Sequence, residues 1–339
     1  LSKTSFQKCF LLKALQRYDF ILNMQDFWTR KIKGFIIFAL STEKKHMKLK
    51  CLFLLLLLGI SFCVHAQKRP VILEKQLEII RKEPDNGDAL KFLCQYYLNK
   101  GDYSKTITYA EIMKNVADKT KNPLLQLYSY IYQAQAQMMS GREKIAKKNL
   151  NLSLELATKL NNDSTLCSVY GSLGLYSANI ETDYYRAIRW LYKGIQLAQQ
   201  NNFQQQYALL LGNLANIYYL KKDTAGIKYA LECYELGHSM RNPYIIYSGA
   251  VNSAYMYFLM KQNEEAMKYI HEAETLMLEN DFYDQAHTYN LFGNILYDMG
   301  EYAQALEYYK KAMKDKQAAQ TSSIVYAHLG YARILMQQN

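Results

Sequence analysis

The chain has 339 residues, half of them apolar, with only four prolines and 15 glycines. That is enough length for a large core and too little proline and glycine for a β-rich or disordered protein. The formal charge of +11 sits mostly at the front: residues 1–66 hold 11 Lys/Arg against three Asp/Glu, and the remainder is near balance at +3. The basic pI is therefore no argument for direct nucleic-acid binding, which needs a clustered basic face.

Residues 1–46 are basic, carry no repeat, and start at Leu1. Their apolar run, residues 34–40, is too short to cross a bilayer. From Met47 the chain reads as a secretory signal peptide. Lys48 and Lys50 form a basic head, residues 51–63 an apolar stretch, and Val64-His65-Ala66 a small-residue cleavage site before Gln67. An uncleaved anchor is the alternative. Lipid attachment at Cys63 is disfavoured by the bulky Phe62 before it. The expected division is an over-extended N-terminus (1–46), a signal peptide (47–66) and a repeat region (67–339). The protein is then exported to the periplasm or cell envelope of a Gram-negative bacterium.

Past Gln67 only Cys94, Cys167 and Cys233 remain, 73 and 66 residues apart. An odd, wide set gives no disulfide framework, so each is expected to be a small buried hydrophobe. The same region repeats. A small residue following an apolar one recurs at Cys94, Ala134, Gly174, Ala215, Ala254, Gly293 and Gly330, at intervals of 40, 40, 41, 39, 39 and 37. Pro84, Pro123 and Pro243 are spaced by 39 and 120 and mark joints between helices. Each period predicts two amphipathic helices. In the sixth, Gly293 lets the pair approach, Gly300 turns the chain, Tyr302 packs under the turn, and Ala305 and Ala312 form a seam two turns apart. The fifth repeats this with Ala254, Ala266 and Ala273. The third has one extra residue in its turn. The second carries Gln137 in place of an aromatic, and the fourth has Gly226 at the small position of its second helix.

This pattern resembles the tetratricopeptide-repeat family over about residues 71–339. The resemblance implies an all-α, right-handed superhelical solenoid of antiparallel helix pairs, with about six complete units, a leading half-unit and a truncated seventh. Periods near 40 imply helices about a turn longer than usual in the family. The resemblance also implies a protein or peptide ligand in a concave groove lined by the first helix of each unit. One family use is to clamp a C-terminal carboxylate with asparagines and cations. Here Asn216 and Asn252 match, but His287 and Leu291 stand where cations would be needed, which argues against that clamp. What remains is a polar and aromatic inner face, with Asn216, Asn252, Tyr255, Asn290 and Asn294 as the candidate partner-binding residues. They either hydrogen-bond a peptide backbone or bridge neighbouring helices. Read as a ligand contact, Asn294→Ala weakens binding with little cost to the fold.

No catalytic constellation, cofactor motif or metal spacing stands out. His238, His271, His287 and His328 form no HExxH, and neither a phosphate loop nor GxSxG occurs. The expectation is a non-enzymatic binding module. Its layout is similar to the periplasmic sensor part of Bacteroidetes-type signalling and transcription regulators. A free periplasmic scaffold or assembly factor is the alternative. Because the seventh unit stops after its first helix, leaving Leu329, Ile334 and Leu335 without cover, a following helix and then a membrane segment are expected beyond residue 339. Expressed from Met47 in a Gram-negative host, the protein should lose its leader and begin at Gln67. Mass-spectrometric analysis of the mature N-terminus checks this, and an uncleaved cytosolic product would overturn it.

Overall fold

The computed structural model describes residues 71–338 except 281, 283–284 and 316–321; the N-terminal segments, with Ala66 and Gln67, lie outside the described residues. Among the described residues there are fourteen α-helices and no strand. They are α1 Val71–Lys82, α2 Gly87–Asn99, α3 Tyr103–Thr120, α4 Pro123–Met139, α5 Glu143–Lys159, α6 Asp163–Asn179 and α7 Tyr184–Gln200. Then follow α8 Gln204–Leu220, α9 Ile227–Ser239, α10 Pro243–Leu259, α11 Asn263–Asn280, α12 Gln285–Asp298, α13 Tyr302–Met313 and α14 Ser322–Gln338. The even-numbered helices are the first helices of the units. The chain is an all-α solenoid of helix pairs, as the periodicity predicts.

The period has a local cause. At Gly101, Lys121, Gly141, Asn161, Thr182, Asn202, Lys222, Arg241 and Lys261 the backbone turns left-handed, and successive sites lie 19 to 21 residues apart. The N–H after such a turn reaches back five residues, as in Asn122 to the Ala117 carbonyl (3.0 Å) and Asn242 to that of Gly237 (3.0 Å), and six at the longer turn, where Asp183 reaches Ser177 (2.8 Å). This satisfies carbonyls orphaned at the helix end. Six helices are started by a side-chain cap. Asn86, Asp102, Asn122, Asn162, Asp183 and Asn242 each accept from a backbone N–H two or three residues on. Pro123 and Pro243 occupy the first turn of α4 and α10, where no N–H is needed. Stop, cap and a 17-residue helix, about 25 Å long, make one half-period. Unit four lacks a glycine in its turn and uses Lys222 (φ 56°) instead, while Gly226 ends the 3-10 turn that leads into α9.

Curvature follows from unequal packing. Successive first helices approach within 8 Å between Cα atoms all along the array, whereas successive second helices do not. The inner face is therefore built of first helices. The small residues make that approach feasible: Cys94, Ala134, Ala215 and Ala254 are fully or almost fully buried. The sixth unit shows the constraint most sharply. The Tyr309 ring is fully buried between Gly293 and Gly330, where an added Cβ would lie 2.7 Å and 2.4 Å from ring atoms. Ala266, Ala273, Ala305 and Ala312 form the expected seams on second helices, all fully buried. So are Cys94, Cys167 and Cys233, and burial raises all three thiol pKa values, that of Cys167 to about 11 and that of Cys233 to about 12. One expectation fails. Ile334 is not on the uncovered side of α14: it is fully buried in the cluster around Ala305 and Tyr309, while Leu329 is 61% exposed. The cause is helical phase, since Ile334 lies four residues after Gly330 on the face that packs on α13.

On the outer face the separated second helices are joined by side-chain rungs. Tyr192 and Tyr229 hydroxyls meet at 2.5 Å between α7 and α9. Tyr234 and His238 of α9 reach Glu272 of α11. Tyr308 and Lys311 of α13 reach Glu274 of α11. At the far end of the path Lys100 Nζ donates to the Asn280 carbonyl at 3.1 Å, so units one and five meet across 180 residues.

These rungs tie the phenols to their protonated form. Burial first, and then the hydrogen bonds to Glu272 and Glu274, push the pKa values of Tyr234 and Tyr308 well up. Burial and Tyr192 push Tyr229 to about 12. A group whose pKa is raised on folding stabilises the fold fully below its unfolded pKa, near 10 for tyrosine, and loses that contribution as pH rises through the folded value. Stability should therefore fall progressively above pH 10. Titration of the phenolate absorbance alongside circular dichroism tests this: a late-ionising tyrosine fraction should appear together with loss of helix.

Candidate functional site

The first helices of the last four units frame an open depression of about 460 Å³. Its walls are Tyr219 and Leu220 from α8, Tyr255 from α10, His287, Asn290 and Asn294 from α12, and Ser323, Tyr326, Leu329 and Arg333 from α14. Most lie within a turn of the helix's small residue: Tyr219 is four after Ala215, Tyr255 one after Ala254, Asn294 one after Gly293, and Arg333 three after Gly330. The packing of first helices at these small residues thus also sets where the lining side chains stand.

The floor is aromatic. Tyr219 and Tyr255 rings stand 3.9 Å apart between centroids, and the Tyr255 ring lies 5.1 Å from the His287 imidazole. The Tyr255 hydroxyl is 3.4 Å from His287 Nδ1. The Arg333 guanidinium sits 3.5 Å from the centre of the Tyr297 ring, a cation–π contact that fixes its position at the rim. Tyr326 and Leu329 project into solvent, 62% and 61% exposed. No carboxylate lines the depression among the described residues. The arrangement offers ring faces, amides and a guanidinium, which suits an extended polypeptide with a planar or anionic side chain.

The asparagines divide by role. Asn290 is buried and its Nδ2 donates to the Ser323 carbonyl at 2.6 Å, tying α12 to α14, while its Oδ1 has no protein partner. Asn252 is buried and donates to the Gly212 carbonyl at 3.0 Å, tying α10 to α8. Asn294 accepts from the Tyr309 hydroxyl at 2.7 Å and lines the depression. Asn216 shares the register of Tyr255 and Asn294, one residue after the small position, but the depression does not extend to it. The structure thus brings together Tyr255, Asn290 and Asn294 and leaves Asn216 and Asn252 aside. Tyr219, Tyr326 and Arg333 escaped the sequence reading, which named Leu329 only as an uncovered apolar residue. A register count of residues one, three and four positions from each small residue would have found most of them.

Among the described residues no group of three or more His, Cys, Asp or Glu is placed to hold a metal ion. His238 pairs with Glu272, His271 lies edge-on to Phe292, and only His287 of the described histidines lines the depression.

Residues 246–318, within α10 to α13 and the segment after it, match the family model described as tetratricopeptide repeat. This stretch carries tetratricopeptide repeats. Such a solenoid is a scaffold for protein interaction, the coarse role expected of the inner groove. A signal-transduction ATPase with numerous domains and a tetratricopeptide-repeat sensor, from Pyrococcus horikoshii, is similar over 91% of this chain at 14% identity and a TM-score of 0.55. The chain spans about half of that protein, 53% of its length. BtubC from P. vanneervenii is similar over 69% of this chain and 93% of its own, at 14% identity and a TM-score of 0.47. RapI in its apo form is similar over 92% and 83%, at 11% identity and a TM-score of 0.47. No curated protein matches the chain.

Of the two roles open to Asn294, the Tyr309 bond supplies a structural one, while the side chain also lines the depression. Removing the amide leaves a hydroxyl on a fully buried ring without that acceptor. Burial, countered by Arg333, already raises the Tyr309 pKa to about 12. Asn294→Ala should lower stability by about 1–3 kcal/mol, and Tyr309→Phe in the same background should recover part of the loss. Denaturant unfolding of both variants measures it.

Proposed function

We propose that the chain is a peptide- or protein-binding sensor module whose ligand lies extended along the inner groove, from Tyr219 and Tyr255 past Asn294 to Tyr326 and Arg333. The carrying observation is that four successive first helices line one open depression, with a buried Tyr255 ring on its floor, half-buried Tyr219, His287 and Asn294 beside it, and exposed Tyr326 and Arg333 at its edge. Exposed Tyr and Leu there cost little order and gain much area when a peptide covers them. In this reading the groove faces the periplasm, in keeping with the signal-peptide pattern at residues 47–67. The module is then the sensing region of a signalling or transcription regulator. That the Pyrococcus horikoshii protein is named for a tetratricopeptide-repeat sensor agrees with this role.

Selection of peptides from a displayed random library against the mature chain tests the groove. Tyr326 is the best probe because it is 62% exposed and lines the depression. Tyr326→Ala should weaken selected peptides by about 1–3 kcal/mol and leave the melting temperature within about a degree or two. Peptides that bind the variant as tightly as the parent chain would place the ligand elsewhere.

A further inference from the structure

Tyr309 stands at a position that packing alone fills with aliphatic residues. Four residues past the small residue of each second helix come Ala110 on α3, Leu150 on α5, Leu191 on α7, Ala230 on α9 and Ile270 on α11, all fully or almost fully buried. Of these six helices only α13 carries a phenol there, four after Ala305. The ring serves the same packing: it is fully buried and fills the gap between α12 and α14 that Gly293 and Gly330 leave open. The hydroxyl is an addition. It donates to Asn294 Oδ1 at 2.7 Å, on a residue that lines the depression.

That bond fixes which way the Asn294 amide faces. Burial raises the Tyr309 pKa, and Arg333 opposes it by charge and as a hydrogen-bond donor to the same hydroxyl. A guanidinium has only donors, so the proton of the hydroxyl goes to an acceptor, and in Asn294 that is Oδ1. Nδ2 is left for the depression. Asn294 makes no other hydrogen bond among the described residues, and its Nδ2 is not sealed from solvent.

Arg333 stands beside it without an acid. Its guanidinium lies 3.5 Å from the centre of the Tyr297 ring, and it forms no ion pair among the described residues. The acid that bears on this hydroxyl, Asp298, is one turn further along α12 and is paired with Lys261 at 2.5 Å. This part of the wall therefore presents an amide N–H₂ and a guanidinium, both donors, and no anion.

We propose that Tyr309 sets the specificity of the groove: by holding Asn294 Oδ1 it turns Nδ2 toward the ligand beside Arg333, and the pair selects an Asp or Glu side chain of the bound peptide over the corresponding amide. This rests on the reading of the groove as a peptide site. A carboxylate has only acceptors and can satisfy both groups, one oxygen to each. An asparagine or glutamine side chain brings an N–H₂ that meets donors, and a lysine meets the charge of the guanidinium. Tyr309 itself is fully buried and acts through Asn294, so it is a positioning residue.

The test pans a displayed random peptide library on the full chain and measures the selected peptides by calorimetry, with their acidic residues intact or replaced by the amides. Peptides that need Tyr326 should carry an Asp or Glu whose amide form binds about tenfold more weakly. Asn294→Asp keeps an acceptor for Tyr309 and puts an oxygen where Nδ2 was, so the acid preference should disappear. Tyr309→Phe keeps the ring and frees the amide to rotate, so the ratio of acid to amide affinity should fall about threefold or more. A purely structural role would lower both affinities together and leave that ratio in place. Where Asn294→Asp does not fold, Tyr309→Phe alone decides. A folded variant with the ratio of the parent chain overturns the proposal. Peptides that depend on Tyr326 but bind equally as acid and amide also overturn it, as do peptides that respond to amidation of the C-terminus instead of the side chain; in both cases the groove itself stands. Binding that Tyr326→Ala leaves undiminished overturns the groove reading and this inference together.

Discussion

Small side chains at the centres of the first helices are the constraint from which the other features follow. Where Gly293 and Gly330 flank the Tyr309 ring, a single methyl group would overlap ring atoms, so helix spacing at that point is set by the absence of a side chain. The first helices close up and the second helices spread. From that asymmetry come a curved inner wall, a set of outer clefts, and the need for rungs to span the clefts. Overpacking any of these contacts would cost on the order of 1–3 kcal/mol and would push apart the first helices that carry the lining residues.

The fold was legible because its signals are periodic and local. Small residues every 37 to 41 positions, with prolines in phase, mark the units without any knowledge of contacts. The turns were less legible. Among the described residues seven non-glycine residues adopt the left-handed conformation, and nothing about Lys121, Arg241 or Lys261 as residue types announces it. Their conformation is imposed by the helix stop before them and the capped helix after them. The burial of Ile334 was misread because an unpartnered sequence end looks uncovered, while helical phase decides which side actually packs.

The groove was half legible. Asparagine on a first helix was a sound pointer to the inner wall, but type alone does not separate a bridging amide from a ligand-facing one. Asn252 and Asn290 donate to carbonyls of neighbouring first helices, and that choice depends on which carbonyl lies opposite. Tyr326 and Arg333 were passed over because no motif names them; they belong to the wall only through their phase relative to Gly330.

The regular left-handed stops also bear on how such a chain tolerates changes of length. Adding one residue inside a helix rotates everything beyond it by about 100°, which would turn buried alanines outward and carry lining residues off the groove. Adding one residue at a stop only lengthens a loop. The third unit already shows the permitted form, with Thr182 placed 21 residues after Asn161 where 20 is the rule. Length variation in this protein is thereby channelled to the rims of the solenoid, and the inner wall and the buried seams are shielded from frame slippage.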